Sequence, residues 1–356
     1  MKRILFVLLV SNIFNCTISA QNSSVLKGIA KKAYDSIPSL GSILVWQNNK
    51  IVCEEYFNGA NDGTSFKVKS VTKSVVSALA GIANDYKLLP DLKTPVFNIF
   101  PEYATDFTKN KNIGFTELIK ANDSVKRVIT LRDLITMQTG YLWDDNSPLS
   151  SRVFNSSSDP VRSTLDLPFE AFPGTKFRYC TPASHIIGVV VSKSVNGNLK
   201  EFADTALFKP IGVTITSWSN DPLGRTMGGT ELSMKATDMI KFGLLYLNEG
   251  KVNDKQIISK SWIQESTSEH VKLNEWDVLP GANGYGYYWW RRKTNGYQAF
   301  VASGYGGQLI CVIPDLQMVI VTTCFVDERN RGRSEIKRLH GFIDKIVKVR
   351  ILSQQF

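Results

Sequence analysis

The chain has 356 residues, of which 43% are hydrophobic and 21% charged, a composition typical of a globular protein with a large buried core. Its formal net charge is +10, but no basic block or basic–aromatic pattern suggests nucleic-acid binding. The histidines lack metal-ligand spacing, and no CxxC pair, phosphate loop or dinucleotide fingerprint occurs, so we expect neither a metal nor a cofactor.

The N-terminus has the pattern of a signal peptide. Lys2 and Arg3 precede an unbroken apolar run over 4–10, and small residues end at Ala20. The run is too short to span a bilayer, and no later stretch is long and apolar enough to do so. We therefore predict a signal peptide over 1–20 and an exported protein, periplasmic or extracellular, with no transmembrane segment.

Four cysteines remain after this cleavage. Each lies in an apolar or strand-like context, and a chain of this size does not need disulfides for stability, so buried free thiols are expected. They are Cys53, Cys180, Cys311 and Cys324.

The first elements are a helix, a hairpin and a second helix. Apolar spacing predicts a helix over 24–36, then strands over 42–46 and 50–57 joined by an Asn-Asn turn. Residues 70–86 carry apolar side chains at helical spacing together with many small residues, which predicts a long, buried, central helix.

Helices and loops dominate the middle of the chain. Thr181 and Pro182 have the order of an N-cap and a first helical residue. The predicted helices are 129–137, 181–194, 237–247 and 259–265.

Short strands return near the C-terminus, and a helix over 334–351 closes the chain. The predicted strands are 285–290, 297–302, 308–313 and 318–325. Strands at both ends with helices between predict an α+β fold, in which one sheet is built from both termini and flanked by helices. We divide it into a sheet domain, 21–92 with 275–356, and a mainly helical insertion, 93–274, with the active site between them.

The strongest candidate for a catalytic motif is Ser70-Val-Thr-Lys73, at the start of the predicted central helix. Residues three apart lie on one helix face, and the N-terminus of a helix stabilises a developing anion. A buried lysine loses proton affinity and can accept the serine proton. The same spacing recurs at Ser24 with Lys27 and at Ser334 with Lys337, so spacing alone leaves the assignment open.

Four segments resemble the class C β-lactamase-related serine hydrolases, a penicillin-recognising family, and especially the branch that includes 6-aminohexanoate-dimer hydrolase. They are FKVKSVTKSVVSAL at 66–79, ITLRDLITMQTG at 129–140, ATDMIKFGLLYLN at 236–248 and ASGYGGQ at 302–308. The segments occur in the family's order. The resemblance implies a β-lactamase/DD-peptidase-like fold, with Ser70 as nucleophile and Lys73 as base.

Two further family elements are matched with changes. PGTKFRYCT at 173–181 resembles a Tyr-x-Asn segment, which implies that Tyr179 shuttles protons, but Thr181 stands where Asn is common. Ser303 and Gly304 match a Lys/His-Thr/Ser-Gly strand edge, whereas Ala302 replaces its cation and makes efficient β-lactam hydrolysis doubtful.

By the same resemblance, Ser303 and Gly304 border the substrate and the Tyr305 N–H is the second oxyanion donor. Trp143 lies in a loop that borders the cleft in this family, where it is either a substrate wall or a packed loop aromatic.

The expected function is cleavage of a small amide, ester or peptide through a Ser70 acyl-enzyme, as a carboxylesterase or amidase. A β-lactamase or D-amino-acid-type peptidase is the alternative within the active class. The other class is a catalytically silent module that binds envelope peptides, which the changes at Ala302 and Thr181 keep open.

A Gly-x-Ser-x-Gly elbow is absent, so an α/β-hydrolase is not expected. The oligomeric state stays open.

Overall fold

The computed structural model describes residues 23–104, 123–274, 279–326 and 333–352. The predicted signal peptide, 1–20, lies outside the described residues. Within them, no helix is long and apolar enough to cross a membrane.

Helices occupy mostly the middle and the two ends of the described chain. They are α1 (23–36), α2 (Val71–Asp85), α3 (Val96–Ile99), α4 (Asp123–Val128), α5 (Leu131–Ile135), α6 (Pro148–Asn155), α7 (Pro160–Leu165), α8 (Thr181–Ser194), α9 (Leu199–Ala203), α10 (Ala236–Leu247), α11 (Lys260–Thr267) and α12 (Arg333–Leu352).

The strands lie towards the two ends of the chain, with a few short ones between. They are β1 (Leu40–Gln47), β2 (Lys50–Tyr56), β3 (Ser65–Lys67), β4 (Ser217–Trp218), β5 (Leu232–Lys235), β6 (Lys251–Val252), β7 (Lys255–Gln256), β8 (Val271–Lys272), β9 (Ala282–Tyr285), β10 (Trp290–Thr294), β11 (Tyr297–Gly304), β12 (Gln308–Ile313) and β13 (Met318–Cys324).

One antiparallel sheet organises the fold, in the order β2-β1-β13-β12-β11-β10-β9-β8. Strand β1 pairs with β13, so that Ile43 lies opposite Thr322 and strands from the two ends of the chain are neighbours in one sheet. The predicted antiparallel sheet from both termini, flanked by helices, is confirmed. The division into a sheet domain and a helical insertion stays a prediction.

Helices cover both faces of this sheet, which explains why β12 and β13 are buried along their whole length. On one face, α10 approaches so closely that a Cβ at Gly243 would lie 2.6 Å from the side chain of Val319. On the other face, α12 places Leu339 against Gly307 and Cys324.

The central helix is buried from Val71 through Ala83. Small residues permit this, since a Cβ at Gly81 would lie 2.3 Å from the Trp262 ring. The predicted helix over 70–86 is confirmed to within one residue at each end. It packs against α8, which begins two residues after Tyr179, and against β11, which carries Ser303 and Gly304.

The predicted strand over 285–290 is wrong. A turn separates β9 from β10, closed by the hydrogen bond from Gly286 N–H to Trp289 O, at 2.8 Å. Tyr288 has a φ of 61°, a left-handed conformation that no strand accommodates. The aromatic side chains of the run indicated a continuous strand. Trp289 is instead buried in the core from the turn, and Trp290 is buried as the first residue of β10.

The four cysteines within the described residues are all buried and free, as expected. Burial raises the pKa of each thiol, to about 12 for Cys53, Cys311 and Cys324, so these groups stay protonated.

Candidate active site

Ser70 lies at the junction between β3 and α2. The backbone reaches it through Val68, whose N–H donates to Leu232 O of the neighbouring strand β5, and through Lys69, which has a left-handed φ of 51°. Ser70 itself is the N-cap of α2, and its side chain is not used as a cap. The hydroxyl is therefore free for chemistry at the positive end of a buried helix.

Lys73 reaches Ser70 from the next turn of the same helix. Its Nζ donates to Ser70 Oγ at 2.9 Å and to the backbone carbonyl of Gly229 at 2.8 Å. The side chain is 1% exposed. Burial lowers the pKa of Lys73 from 10.5 to about 8, although the negative charge of Asp145 opposes that shift. With this lowered pKa, a minor fraction of the amine is neutral near neutral pH, and in that form it is a competent base.

Tyr179 lies on the other side of the nucleophile. Its side chain is hydrogen-bonded with that of Ser70, and Lys73 Nζ is 5.0 Å from its ring centroid. The ring stacks on Trp290, with centroids 5.6 Å apart. Burial and the charge of Asp145 raise the pKa of Tyr179, so the phenol keeps its proton. The structure thus brings Ser70, Lys73 and Tyr179 together.

Asp145 connects the loop after Gly140 to the Tyr179 segment. It accepts from Thr181 N–H at 3.0 Å and from Thr181 Oγ1, and the indole N–H of Trp143 also donates to it. Thr181 is the first residue of α8 and Cys180 is its N-cap, so the predicted capping role of Thr181 is wrong. Its hydroxyl donates to the Asp145 carboxylate.

Trp143 is 5% exposed and lines a small void with Phe154, Leu167 and Pro182. The structure thus places it as a packed loop aromatic that donates to Asp145. This burial does not support a role for Trp143 as a substrate wall, which stays a prediction.

The end of β11 passes directly over the residues before Ser70. A Cβ at Gly304 would lie 2.2 Å from Val68 O and 3.3 Å from Lys69 Cβ, so only glycine allows this approach. Ala302 shares the strand face of Gly304 and is fully buried. Ser303 lies on the opposite face and is half-buried, while the Tyr305 side chain is exposed. This places the 304–305 backbone beside the nucleophile segment.

Gly306 and Gly307 complete the turn that follows, with φ values of 82° and 101°. A Cβ at Gly307 would lie 2.4 Å from Leu339 of α12, so the turn is held against the closing helix. The roles of Ser303, Gly304 and Tyr305 towards substrate stay predictions.

Two contributors were missed by sequence reasoning. Asp145 was noticed only as part of the loop after Gly140, and Gly229 gave no signal. A buried carbonyl acceptor for Lys73 depends on tertiary contacts, so no local pattern could reveal it.

The family model for β-lactamase matches residues 32–342, which span the sheet and the whole site. The chain belongs to the β-lactamase family. No curated protein sequence matches it significantly.

Solved structures of this family share the fold. A Bacillus anthracis protein assigned as a 6-aminohexanoate-dimer hydrolase is 21% identical, with a TM-score of 0.69, over 91% of this chain and 82% of its own. EstCE1, a hydrolase with promiscuous acyltransferase activity, is 16% identical, with a TM-score of 0.70, over 93% and 98%. D-amino acid amidase from Ochrobactrum anthropi is 11% identical, with a TM-score of 0.69, over 94% and 99%. At these identities the similarity is one of fold.

Proposed function

We propose that this member of the β-lactamase family is an exported serine hydrolase that cleaves a small amide or ester through an acyl-enzyme on Ser70. The observation that carries the proposal is the bond from Lys73 Nζ to Ser70 Oγ at 2.9 Å, made by a fully buried amine whose pKa is lowered to about 8. Family membership supports a hydrolase, and export rests on the N-terminal pattern over 1–20.

In the first half-reaction, neutral Lys73 takes the proton of Ser70 while Oγ attacks the substrate carbonyl. The backbone N–H groups of Ser70 and Tyr305 stabilise the oxyanion. When the tetrahedral intermediate collapses, the Tyr179 phenol protonates the leaving amine or alkoxide, and the Lys73 ammonium returns a proton to Tyr179. Products of this step are the Ser70 ester and the free leaving group.

Deacylation runs the same proton path in reverse. A water molecule takes the place of the leaving group, gives its proton through Tyr179 to neutral Lys73, and attacks the ester carbonyl. Ser70 Oγ leaves and recovers the proton from Lys73. The raised pKa of Tyr179 favours Lys73 as the store of the proton, with the phenol as its relay.

Ala302 helps to decide which class of substrate we propose. Its methyl group occupies the face of β11 that looks towards α2, where the family carries a cation for the carboxylate of β-lactams. A carboxylesterase or small-amide hydrolase is therefore preferred over a β-lactamase or D-amino-acid-type peptidase. EstCE1, a hydrolase with promiscuous acyltransferase activity, supports that preference.

The test compares the mature protein, from Gln21 onward, with its Ser70→Ala variant. Both are given a short p-nitrophenyl ester and a chromogenic cephalosporin, and intact mass is recorded for an acyl adduct. We expect turnover or an adduct in the wild type alone, with the ester preferred. Equal turnover in Ser70→Ala would overturn the assignment of the nucleophile.

Ser24→Ala is the matched control, because Ser24 and Lys27 repeat the spacing on the exposed surface of α1. This variant is expected to keep wild-type turnover. If neither turnover nor adduct occurs in any of the three proteins, the silent peptide-binding module becomes the better hypothesis.

A further inference from the structure

A buried histidine–aspartate pair lies behind the lysine. His185, on α8, and Asp221 have fully buried side chains, and His185 Nε2 lies 3.0 Å from Asp221 Oδ2. The other ring nitrogen, Nδ1, accepts the backbone N–H of Gly228 at 3.2 Å. An acceptor at Nδ1 requires the neutral tautomer with its proton on Nε2, donated to the carboxylate.

Asp221 is itself held rigidly. The backbone N–H groups of Leu223 and Arg225 donate to its Oδ1, each at 2.9 Å, and Arg225 Nε donates to Oδ2 at 2.6 Å. Burial raises the pKa of Asp221, but the bonds from His185 and Arg225 outweigh this and keep the pKa below its usual value. The carboxylate stays ionised and fixes one end of the imidazole.

The glycine bonded to His185 precedes the glycine bonded to the catalytic lysine. Gly228 gives its N–H to His185, and Gly229 gives its carbonyl to Lys73 Nζ at 2.8 Å. A Cβ at Gly228 would lie 2.6 Å from Ser184 O, and one at Gly229 would lie 2.9 Å from Thr181 O. The diglycine therefore packs directly on the first turn of α8, the helix that follows Tyr179.

We propose that His185 is a positioning residue for Lys73, acting through the Gly228–Gly229 backbone. The pair with Asp221 fixes the imidazole, the imidazole fixes Gly228, and the Gly229 carbonyl then aims the amine at Ser70. The same carbonyl stabilises the ammonium form, since a hydrogen bond from a charged donor favours the charge. This role rests on the proposed hydrolase function, but the link between His185 and Lys73 is testable without turnover.

The titratable groups around Lys73 are Tyr179, Asp145 and Cys180. None of them is hydrogen-bonded to His185 among the contacts described, so the titration of Lys73 is a suitable readout of a change at His185. It is followed by NMR of protein labelled with ¹³C-lysine, with the resonance assigned from a Lys73→Arg variant.

Two substitutions separate the functions of the two ring nitrogens. His185→Asn keeps an acceptor near the position of Nδ1, and His185→Gln keeps a donor near Nε2 but removes the acceptor for Gly228. In His185→Gln we expect the Lys73 titration to move down by about one pH unit. We also expect kcat to fall about 10- to 100-fold with KM little changed, because a misplaced base slows the chemical step. His185→Asn is expected to restore both.

His340→Gln is the control for the loss of a buried histidine. His340 is also fully buried, but it is bound by Arg292 between β10 and α12, away from the site. This variant is expected to leave the Lys73 titration and kcat unchanged per folded molecule, with the folded fraction measured by thermal unfolding.

An unchanged Lys73 titration in folded His185→Gln would overturn the positioning role, with or without turnover. A shifted titration in a protein that never turns over any substrate would instead keep the role and reject the hydrolase function. Equal losses in His185→Asn and His185→Gln that follow only the folded fraction would also overturn it, since they indicate a purely structural histidine.

Discussion

Asp145 raises the pKa of Lys73, whereas burial of the lysine amine beside Ser70 lowers it. Asp145 does not bind Lys73 through a hydrogen bond among the contacts described, and it is instead occupied by Thr181 and Trp143. The carboxylate thus tunes the lysine at a distance while it anchors the start of α8, so its charge and its hydrogen bonds can be separated by substitution.

A permanent positive charge at the position of Lys73 should abolish its role as the base. In Lys73→Arg, the guanidinium keeps its proton at any accessible pH, so it cannot accept the Ser70 proton. We expect kcat/KM for the p-nitrophenyl ester to fall about 10²- to 10⁴-fold. Circular dichroism checks that the variant is folded, and near-wild-type activity in a folded Lys73→Arg protein would contradict the assignment of the base.

The pH dependence of kcat/KM should follow the protonation state of Lys73. A pKa lowered from 10.5 to about 8 means that the amine is charged and inactive well below pH 8 and neutral above it. We therefore expect kcat/KM to rise tenfold per pH unit on the acid limb and to level off above about pH 8. A kcat/KM that does not change across this pH range would contradict the assignment of Lys73 as the base.

Neutralising Asp145 should shift that limb. Its negative charge raises the pKa of Lys73, so Asp145→Asn is expected to move the acid limb below pH 8. The loss of charge-assisted bonds to Thr181 is expected to lower kcat as well. The measurement is the pH dependence of kcat/KM in both proteins.

Asp144→Asn is the matched control for that change. Asp144 is exposed on the same loop and accepts from Asn146 N–H at 2.9 Å. Its substitution is expected to leave the limb in place. Equal shifts in both variants would show that the effect is general to the charge of the loop.

Gly304 should not accept any side chain. In Gly304→Ala, a Cβ 2.2 Å from Val68 O forces the end of β11 away from the nucleophile segment. We expect a loss of about 1–3 kcal/mol in the free energy of unfolding. We also expect kcat/KM to fall about 10²-fold, because the 304–305 backbone is displaced.

Gly341→Ala tests whether the loss of stability in Gly304→Ala is specific to the position of Gly304. Gly341 lies in α12 with no atom within 4 Å of its Cβ position, so alanine is expected to be neutral or to stabilise by up to about 1 kcal/mol. Chemical unfolding and ester turnover are measured for both variants. A Gly304→Ala protein as active as Gly341→Ala would contradict the close approach.

The sequence was informative where chemistry and periodicity are local. Helical spacing put Ser70 and Lys73 on one face, and the family resemblance distinguished this pair from the same spacing at Ser24. The strands of β12 and β13 were predictable because their apolar runs end at the Pro314 turn. Family resemblance added Tyr179, which no pattern within its own segment would have selected.

Other features were set by contacts between distant parts of the chain. Thr181 has the sequence of an N-cap, but the arrival of Asp145 from another loop gives its hydroxyl a different partner. Likewise, the acceptor for Lys73 at Gly229 comes from a segment far along the chain. Neither contact has a local signature, because both depend on how the loops fold over α8.

The position of the nucleophile helix in the chain also sets an order of events during synthesis. The helix that begins after Ser70 is made before the strands on which it packs, β11 and β12, and before the helix that backs the Gly306–Gly307 turn. Until those segments are made, a nascent chain carries Ser70 without the backbone that completes its surroundings. A chain cut before β11 is therefore expected to lack turnover.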